Sequence, residues 1–196
     1  MSAELQAESR SEIRVHLMKS VEEAGRISAF FLSEWSFDDQ RHTPGELEHF
    51  RNGPFQSLEQ KHHMYWYVEN EDGEIIAVTS CKENEHRTEG YLWDYLVVHR
   101  QYRRLGLAKY LYDALENYIR TIGGRYILTY TCDLPEYIPI QRMFRDRGFE
   151  LIGRYPHYYY DGEDRLAFYK KLEQETKPGL ALVQDASSAI DQTDRT

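Results

Sequence analysis

Cysteine and long apolar runs are scarce in this sequence of 196 residues. The two cysteines, Cys81 and Cys132, lie far apart and lack C-x-x-C spacing, which argues against a disulfide framework or a zinc site. No apolar run reaches the roughly 20 residues that a transmembrane helix requires. The opening residues, MSAELQAESRSE, lack the charged-then-apolar pattern of a signal peptide. These absences predict a cytoplasmic protein without a membrane partner.

Positive charge is also in short supply, since the formal net charge is −9. This balance argues against nonspecific binding to nucleic acid, and a negatively charged ligand would need a local positive site. Apolar residues are plentiful: 41% of the residues are hydrophobic and 14% are aromatic. A chain of this length and composition predicts one domain with a hydrophobic core rather than two domains.

The most informative stretch runs from a strand through a glycine-containing turn into a helix. Seven of the eight residues in Tyr91–Val98 are aromatic or aliphatic, with Asp94 as the exception, which predicts a strand buried on both faces. Apolar residues recur at three and four positions over Ala108–Ile122 and predict an amphipathic helix. The turn between them contains Gly106 and the arginines Arg100, Arg103 and Arg104. Unpaired N–H groups at such a helix start favour a phosphate, and the alternative is a solvated helix start.

The segment LVVHRQYRRLGLA closely resembles the acetyl-CoA-binding segment of the GNAT superfamily of N-acetyltransferases. That family has a strand, Val, a short link, Tyr-Arg and the pattern Arg/Gln-x-x-Gly-x-Gly/Ala, which here is Arg103–Ala108. The pattern differs from G-x-x-x-x-G-K-[ST] and from G-x-G-x-x-G, so ATP and NAD are poorly supported as ligands. The resemblance implies acetyl-CoA as the cosubstrate.

The same resemblance implies two sets of cosubstrate-binding residues. The first set offers backbone groups to the pantetheine arm and consists of Leu96, Val97 and Val98. The second set would hold the diphosphate through main-chain N–H groups and consists of Arg103, Arg104, Leu105, Gly106, Leu107 and Ala108. A backbone N–H of Val97 or Val98 would also stabilise the tetrahedral oxyanion.

The order of the predicted elements is also similar to that of the GNAT fold. We predict an α/β (α+β) fold with a mixed, mostly antiparallel twisted sheet of about seven strands flanked by about four helices. The predicted order is β-α-α-β-β-β-α-β-α-β-β. Residues 1–11 are predicted to be a flexible N-terminus, residues 12–172 the acetyltransferase domain and residues 173–196 a flexible tail.

Several element boundaries can be predicted from local signals. Ile13–Leu17 alternates like a strand with one wet face, and Ser20 fits the N-cap of a helix that ends near Trp35. Pro44 begins a second helix, which Asn52-Gly53-Pro54 is predicted to end. The adjacent histidines His62 and His63 do not predict a metal site, because neighbouring strand residues point to opposite faces.

Acetyl transfer to an amine requires the neutral amine, and a carboxylate is the usual base. Asp94 is the leading candidate, since strand alternation predicts that it shares a face with Leu92, Leu96 and Val98. A structural salt bridge from Asp94 to an arginine is the alternative. Glu89, and after it Glu83, are weaker candidates at the mouth of the same region.

The general acid is less clear, because the family often places a Tyr four residues before the Gly of its Gly-Phe helix ending. Phe144 stands at that position and cannot donate a proton. Tyr158 and Tyr159 are the candidate substitutes, with Tyr137 as another, and the thiolate could also leave without assistance. Plain packing is the alternative role for each of these tyrosines.

The acceptor is the part of the function that the sequence describes least. The segment RYPHYYYDGEDRLAFYKKL resembles the ending of GNAT enzymes that acetylate protein N-terminal α-amines, although Arg165 stands where that pattern has Ala. The predicted acceptor is therefore a peptide N-terminus or an amine-bearing small molecule, and the acidic chain would suit a cationic one. A catalytically silent acyl-CoA-binding domain is the alternative function. The sequence leaves open whether the protein is a monomer or a homodimer.

Overall fold

The computed structural model describes residues 13–38 and 41–173 as one mixed sheet flanked by helices. The elements are β1 (His16–Leu17), α1 (Val21–Phe31), α2 (Pro44–Ser57), β2 (His63–Glu69), β3 (Ile75–Glu83), β4 (Gly90–Val98), α3 (Leu107–Thr121), β5 (Tyr126–Cys132), α4 (Ile138–Asp146), β6 (Glu150–Tyr160) and β7 (Glu163–Lys171). Short 3-10 helices, Arg100–Tyr102 and Pro135–Tyr137, precede α3 and α4. The predicted element order is confirmed. The predicted flexible ends lie outside the described residues, except for Glu173.

The seven strands are arranged in the order β1-β2-β3-β4-β5-β7-β6. Among the strands of residues 13–38 and 41–173, only β4 and β5 pair in parallel, and the other neighbours pair antiparallel. The prediction of a mixed, mostly antiparallel sheet with four helices is therefore confirmed. No helix in the described part of the chain is long and apolar enough to cross a bilayer.

Both predicted helix starts on the N-terminal side are confirmed by complete capping boxes. The Ser20 hydroxyl accepts from the N–H of Glu23, and Thr43 makes the equivalent bond at the start of α2. The predicted stop at residues 52–54 is wrong, because α2 continues through Pro54 to Ser57. Pro54 lies on the buried face of the helix, so packing against the sheet outweighs the backbone bond that the proline cannot donate.

The first strand and the first helix are shorter than the sequence predicts. The first strand pairs with β2 only at His16 and Leu17, although the alternation begins at Ile13. The first helix ends at Phe31 rather than near Trp35. A turn follows, in which the buried Ser36 hydroxyl donates to the carbonyl oxygens of Phe31 and Ser33. That local bond gives the chain an alternative to further helix.

Two hydrophobic clusters cover the two faces of the sheet. The larger one packs α3 and α4 against the sheet around Trp93, Tyr112 and Phe168. The smaller one packs α1 and α2 against β2, β3 and the second half of β4, with Phe31 and Phe50 at its centre. The helices α1 and α2 come first in the chain and lie over its first strands. The same face of β5, β7 and β6 is left more open, and the candidate site lies at this border.

Candidate active site

The strands β4 and β5 separate in the middle of the sheet. Their parallel pairing covers four residues on each strand and ends at Trp93 and Thr129. The opposite edge of β4 stays paired with β3 as far as Val98 and Ala77. Within the described residues, the backbone of β4 beyond Trp93 therefore has a free edge toward β5. Of Leu96, Val97 and Val98, the residues predicted to face the pantetheine arm, Leu96 and Val98 lie on this edge, whereas Val97 is at a position that bonds to β3. The Val98 carbonyl accepts from Arg103 Nε.

The turn after β4 presents a continuous set of unused backbone donors. No acceptor in the described part of the chain takes the N–H groups of Arg103–Ala108. Arg104 and Gly106 adopt left-handed conformations, with φ of 68° and 82°, and no side chain caps the start of α3. A Cβ on Gly106 would meet nothing within 4 Å, so the glycine is required by its backbone angle and not by crowding. The turn can therefore bind an anion through its backbone.

The three arginines of the turn differ in their freedom. Arg103 donates to both carboxylate oxygens of Asp38, at 2.8 and 2.6 Å, and the Arg100 guanidinium donates to the carbonyl of Glu34. Arg104 is exposed and has no ion pair or hydrogen bond within the described residues. The side chain that can reach a bound phosphate without losing a protein partner is therefore Arg104.

A β-bulge in β4 changes where Asp94 points. Cys81 pairs with Trp93 and Ser80 with Tyr95, so Asp94 is the extra residue between two ladder pairs. The predicted alternation is therefore wrong beyond this point. Leu96 and Val98 pack with the larger cluster, on the α3 side of the sheet. Asp94 instead faces α2, where its carboxylate lies close to His49.

The Asp94 carboxylate is nearly buried and incompletely satisfied. Its side chain is 14% exposed, and Lys82 Nζ lies 3.2 Å from Oδ2. His49 Nε2 lies 3.6 Å from the same oxygen. Neither contact has hydrogen-bond geometry, so Oδ2 is a buried acceptor without a donor in the described residues. The alternative of a salt bridge to an arginine is not what the structure contains, since the cation is a lysine.

His49 connects Asp94 to the sheet beneath α2. Its Nε2 lies 2.9 Å from the hydroxyl of Tyr65, and burial lowers the pKa of His49 despite the attraction of Asp94. Burial also raises the pKa of Tyr65, so this hydroxyl keeps its proton. The contact requires Gly53, because a Cβ there would lie 2.8 Å from both the His49 ring and the Tyr65 oxygen.

The hairpin of β6 and β7 forms the opposite wall of the cleft. Tyr159 is half-buried, and burial raises its pKa to about 12 although the charge of Arg165 opposes the shift. Tyr158 is 52% exposed and stacks on the Arg165 guanidinium. Burial likewise raises the pKa of Tyr95, whose electrostatic neighbours include Asp94, Tyr159 and Arg165. Asp94 and Tyr159 are therefore both electrostatic neighbours of Tyr95.

Two sequence candidates lie outside this cleft. Glu89 precedes β4 with 63% of its side chain exposed, near Arg125. At about 3.3 Å per strand residue, its backbone lies roughly 16 Å from that of Asp94. Phe144, at the position of the common Tyr, is 4% exposed and packs against Trp93 and Phe168. No group of three potential metal ligands occurs within the described residues.

Two cavities lie near these features. A groove of about 250 Å³ is lined by Lys82, Leu92, Leu128 and Tyr130, among others, and so begins beside the Asp94 carboxylate. A cavity of about 450 Å³ lies between α1 and the start of β3, where His99 stacks on Trp35. Asp94 lines neither cavity, but its ion-pair partner Lys82 lines the smaller one, so we assign the candidate chemistry to the smaller groove.

The comparisons with known proteins agree with this geometry. The model of the acetyltransferase (GNAT) family matches residues 26–149. This match spans more than half of the chain, so the protein belongs to the GNAT family of acetyltransferases.

Solved structures of this family share the fold. A protein assigned to the GNAT family from Desulfovibrio desulfuricans aligns with a TM-score of 0.70 and 15% identity over 81% of this chain and 98% of that one. The ribosomal-protein-S18-alanine N-acetyltransferase from Escherichia coli aligns with a TM-score of 0.63 and 12% identity, over 83% of this chain and 98% of that one. A protein assigned as a streptothricin acetyltransferase from Bacillus anthracis, in complex with acetyl coenzyme A, aligns with a TM-score of 0.54 and 16% identity. The alignment covers 61% of this chain and 68% of that one.

Sequence reasoning missed His49, Lys82 and Tyr95. His49 sits in a helix whose pattern resembles that of many half-buried helices, and Lys82 looks like an exposed residue at the end of a strand. Their proximity to Asp94 depends on the bulge and on the tilt of α2. The one available signal was Gly53, a helix-interior glycine that marks a close approach.

Proposed function

We propose that this protein is an acetyl-CoA-dependent N-acetyltransferase that transfers the acetyl group directly to a primary amine in a ternary complex. The observation that carries this proposal is the unsatisfied, buried Oδ2 of Asp94 beside the point where β4 and β5 separate. A thioester held in that gap would meet a base on one side and free backbone donors on the other.

The cosubstrate would be bound mostly by backbone. The free N–H groups of Arg103–Ala108 would hold the diphosphate, and Arg104 would add a charge. The backbone groups of Leu96 and Val98 at the open edge would pair with the pantetheine arm as a further strand would. The acetyl-CoA complex of the Bacillus anthracis structure, which shares the fold, supports this choice of ligand.

Asp94 would act as the general base. A lysine-type amine with a pKa near 10.4 costs about 4 to 5 kcal/mol to deprotonate at pH 7, whereas an α-amine costs about 1 kcal/mol. Removal of this proton, directly or through water, lets the nitrogen attack the thioester carbonyl. Of the two candidate oxyanion donors, Val98 fits better, because its N–H faces the free edge of β4 whereas Val97 is at a position that bonds to β3.

Tyr159 is our choice for the general acid. It lies in the cleft, is half-buried and keeps its proton at neutral pH, since its pKa is raised to about 12. Tyr158 is less suited, because its ring stacks on Arg165 and half of it is exposed to solvent. The leaving thiolate is a weak enough base to depart slowly unaided, so loss of the Tyr159 hydroxyl would slow the reaction without abolishing it.

The proposal is tested by release of free thiol from acetyl-CoA in the presence of amines. The panel contains polyamines, amino acids, aminoglycosides and peptides with free N-termini, with mass spectrometry of each product. We expect turnover that depends on the acceptor. Silence across the panel, together with tight acetyl-CoA binding, would instead support a catalytically silent acyl-CoA-binding domain.

We also propose that the enzyme works in the cytoplasm. Cys81 and Cys132 are both free and buried, and burial raises the pKa of both thiols. Unpaired thiols in this state fit a reducing compartment. Fractionation of the source cells with an antibody against the protein would test the location.

A further inference from the structure

The wall of the acceptor cleft contains a guanidinium without an anionic partner. Arg165 lies on β7 opposite Cys132 of β5, and its Nε is buried without a hydrogen-bond acceptor in the described residues. Among those residues no carboxylate forms an ion pair with it. A buried donor without an acceptor is unfavourable, so the side chain is held in this place by other contacts.

Two tyrosine rings hold the Arg165 guanidinium. Its central carbon lies 3.2 Å from the ring centroid of Tyr130 and 4.5 Å from that of Tyr158. Cation–π contacts of this kind fix the plane of the guanidinium but use its faces, not its N–H edges. Its two terminal Nη groups are not among the buried unpaired atoms, so they remain available to an acceptor from outside the protein.

Nearby carboxylates are already used by other arginines. Glu163 pairs with Arg41, and Asp164 pairs with Arg154 although it is the direct neighbour of Arg165. Asp133 takes a second bond from Arg154, at 2.6 Å. Three carboxylates and two arginines at this end of the sheet thus pair with one another, and Arg165 has no carboxylate partner among the described residues.

Arg165 and the proposed base each contact a residue that lines the same groove, since Arg165 stacks on Tyr130 and Asp94 pairs with Lys82. The charge of Arg165 lowers the pKa values of Tyr95 and Tyr159, whereas the charge of Asp94 raises that of Tyr95. The ring on which Arg165 stacks, Tyr130, lines the groove of about 250 Å³ that begins at Lys82. A ligand in this groove would lie between Lys82, the ion-pair partner of Asp94, and Tyr130, on whose ring the Arg165 guanidinium stacks.

We infer that Arg165 binds a carboxylate of the acceptor, so that the acceptor is an amino acid or a short peptide with a free carboxylate rather than a polyamine. This inference rests on the proposed function, because it assigns the acceptor of that same reaction. The planar fork of arginine matches a carboxylate in two parallel hydrogen bonds. The amine of the same molecule would then lie toward Asp94.

The test compares acceptors that differ only at the carboxylate. Glycine, L-alanine and L-glutamate are measured against their amides, and dipeptides with free C-termini against amidated ones, which separates amino acids from peptides. The amides deprotonate more readily, so their intrinsic reactivity works against the expected preference. We expect kcat/KM to be at least about tenfold higher for the free carboxylates, as charge-assisted hydrogen bonds usually require.

Variants connect this preference to the residue. Arg165→Gln should reduce the ratio of the two kcat/KM values by about tenfold or more, and Arg165→Lys, which keeps the charge but loses the fork, should reduce it less. Arg142→Gln removes an exposed arginine of α4 and should leave the ratio unchanged. Retention of the acetyl-CoA-induced rise in Tm shows that each variant is folded.

The outcomes separate the two proposals. Turnover of amides and carboxylates at equal rates, or a preference that survives Arg165→Gln, would overturn the inference and leave the acetyltransferase assignment intact. If no acceptor is acetylated, the Tm of the CoA complex measured with and without the free amino acids still tests whether Arg165 binds a carboxylate. A rise in Tm that Arg165→Gln removes supports the carboxylate site, and no rise with any of them overturns it.

Discussion

The turn at the end of β4 and the acceptor cleft beside it are built in different ways. The turn takes its donors from six consecutive residues, Arg103–Ala108, and uses their backbone. The cleft takes side chains from α2, β3, β4, β6 and β7, and depends on single atoms such as Asp94 Oδ2. The turn should therefore tolerate changes of side chain, whereas the cleft should fail when one atom is replaced.

Among changes in the cleft, Asp94→Asn should have the largest effect on catalysis. Asparagine keeps the size of the side chain but cannot accept the proton of the amine. We expect kcat to fall by about 10²- to 10⁴-fold, which is the usual contribution of a general base. The Kd of acetyl-CoA should change little, because the turn does not use this carboxylate. Stopped assays with the best acceptor of the panel and a binding titration measure both quantities.

Two further carboxylates serve as comparisons for this variant. Glu150→Gln removes an exposed carboxylate at the start of β6 and should leave kcat within about twofold, as surface changes usually do. Glu89→Gln tests the other sequence candidate, which the structure places at the far end of β4. A loss in Glu89→Gln as large as that in Asp94→Asn would contradict the assignment of the base.

The cleft should also respond to pH. Burial lowers the pKa of His63 to about 4, from about 6.5 in the unfolded chain, and lowers that of His49 as well. Between pH 4 and 6.5 the unfolded state therefore binds more protons than the folded state. Stability should be fully present above pH 6.5 and be lost as the pH falls toward 4, by on the order of 3 kcal/mol for His63.

Urea unfolding at several pH values measures this loss. His63→Gln should flatten the dependence of the free energy of unfolding on pH between 6.5 and 4.5. His86→Gln removes an exposed histidine and should retain the full slope. An unchanged slope in His63→Gln would mean that this histidine is not buried in its neutral form.

Gly53→Ala should disturb the cleft without touching Asp94 directly. The added methyl group would lie 2.8 Å from the His49 ring, so the ring must move away from Tyr65 and change its position against Asp94. We expect kcat to fall by about tenfold. The cost of overpacking, about 1 to 3 kcal/mol, would be partly offset by the better helix propensity of alanine.

Gly45→Ala is the matched control in the same helix. A Cβ at this position meets nothing within 4 Å, so the variant should gain up to about 1 kcal/mol of stability and keep its activity. Equal effects of the two variants on kcat would show that the position of His49 does not matter for the reaction.

The sequence predicts the turn well because its information is continuous. The strand, the left-handed glycine and the amphipathic helix all lie within about 30 consecutive residues, and each has a local signal. The element order follows from the same kind of local signal, whereas the mixed sheet was expected from the resemblance to the GNAT fold and the parallel pair was not predicted. Asp94 could be found as a lone charge in an apolar strand, but its direction could not, because the bulge depends on the pairing of β3 with β4.

The partners of Asp94 could not be predicted from their own surroundings in the chain. His49 lies 45 residues before Asp94, and the two meet only after α2 packs over the sheet beside the bulge in β4. The freedom of Arg165 is likewise visible only after Glu163 and Asp164 are seen to pair elsewhere. Local patterns fix elements, whereas a cleft is defined by which side chains remain unpaired after the elements pack.

The smallest expected effect distinguishes two adjacent arginines in the turn itself. Arg104→Ala should raise the Kd of acetyl-CoA by about three- to tenfold, and less at high salt, because it removes a free charge from a site whose backbone donors persist. Arg103→Ala should change that Kd less, since its guanidinium is already bound to Asp38, and should instead cost up to about 1 kcal/mol of stability. Calorimetric titration at two salt concentrations measures both variants. A larger loss of affinity in Arg103→Ala would mean that the Asp38 pair opens when the ligand binds, and the division between a backbone-built turn and a side-chain-built cleft would no longer hold.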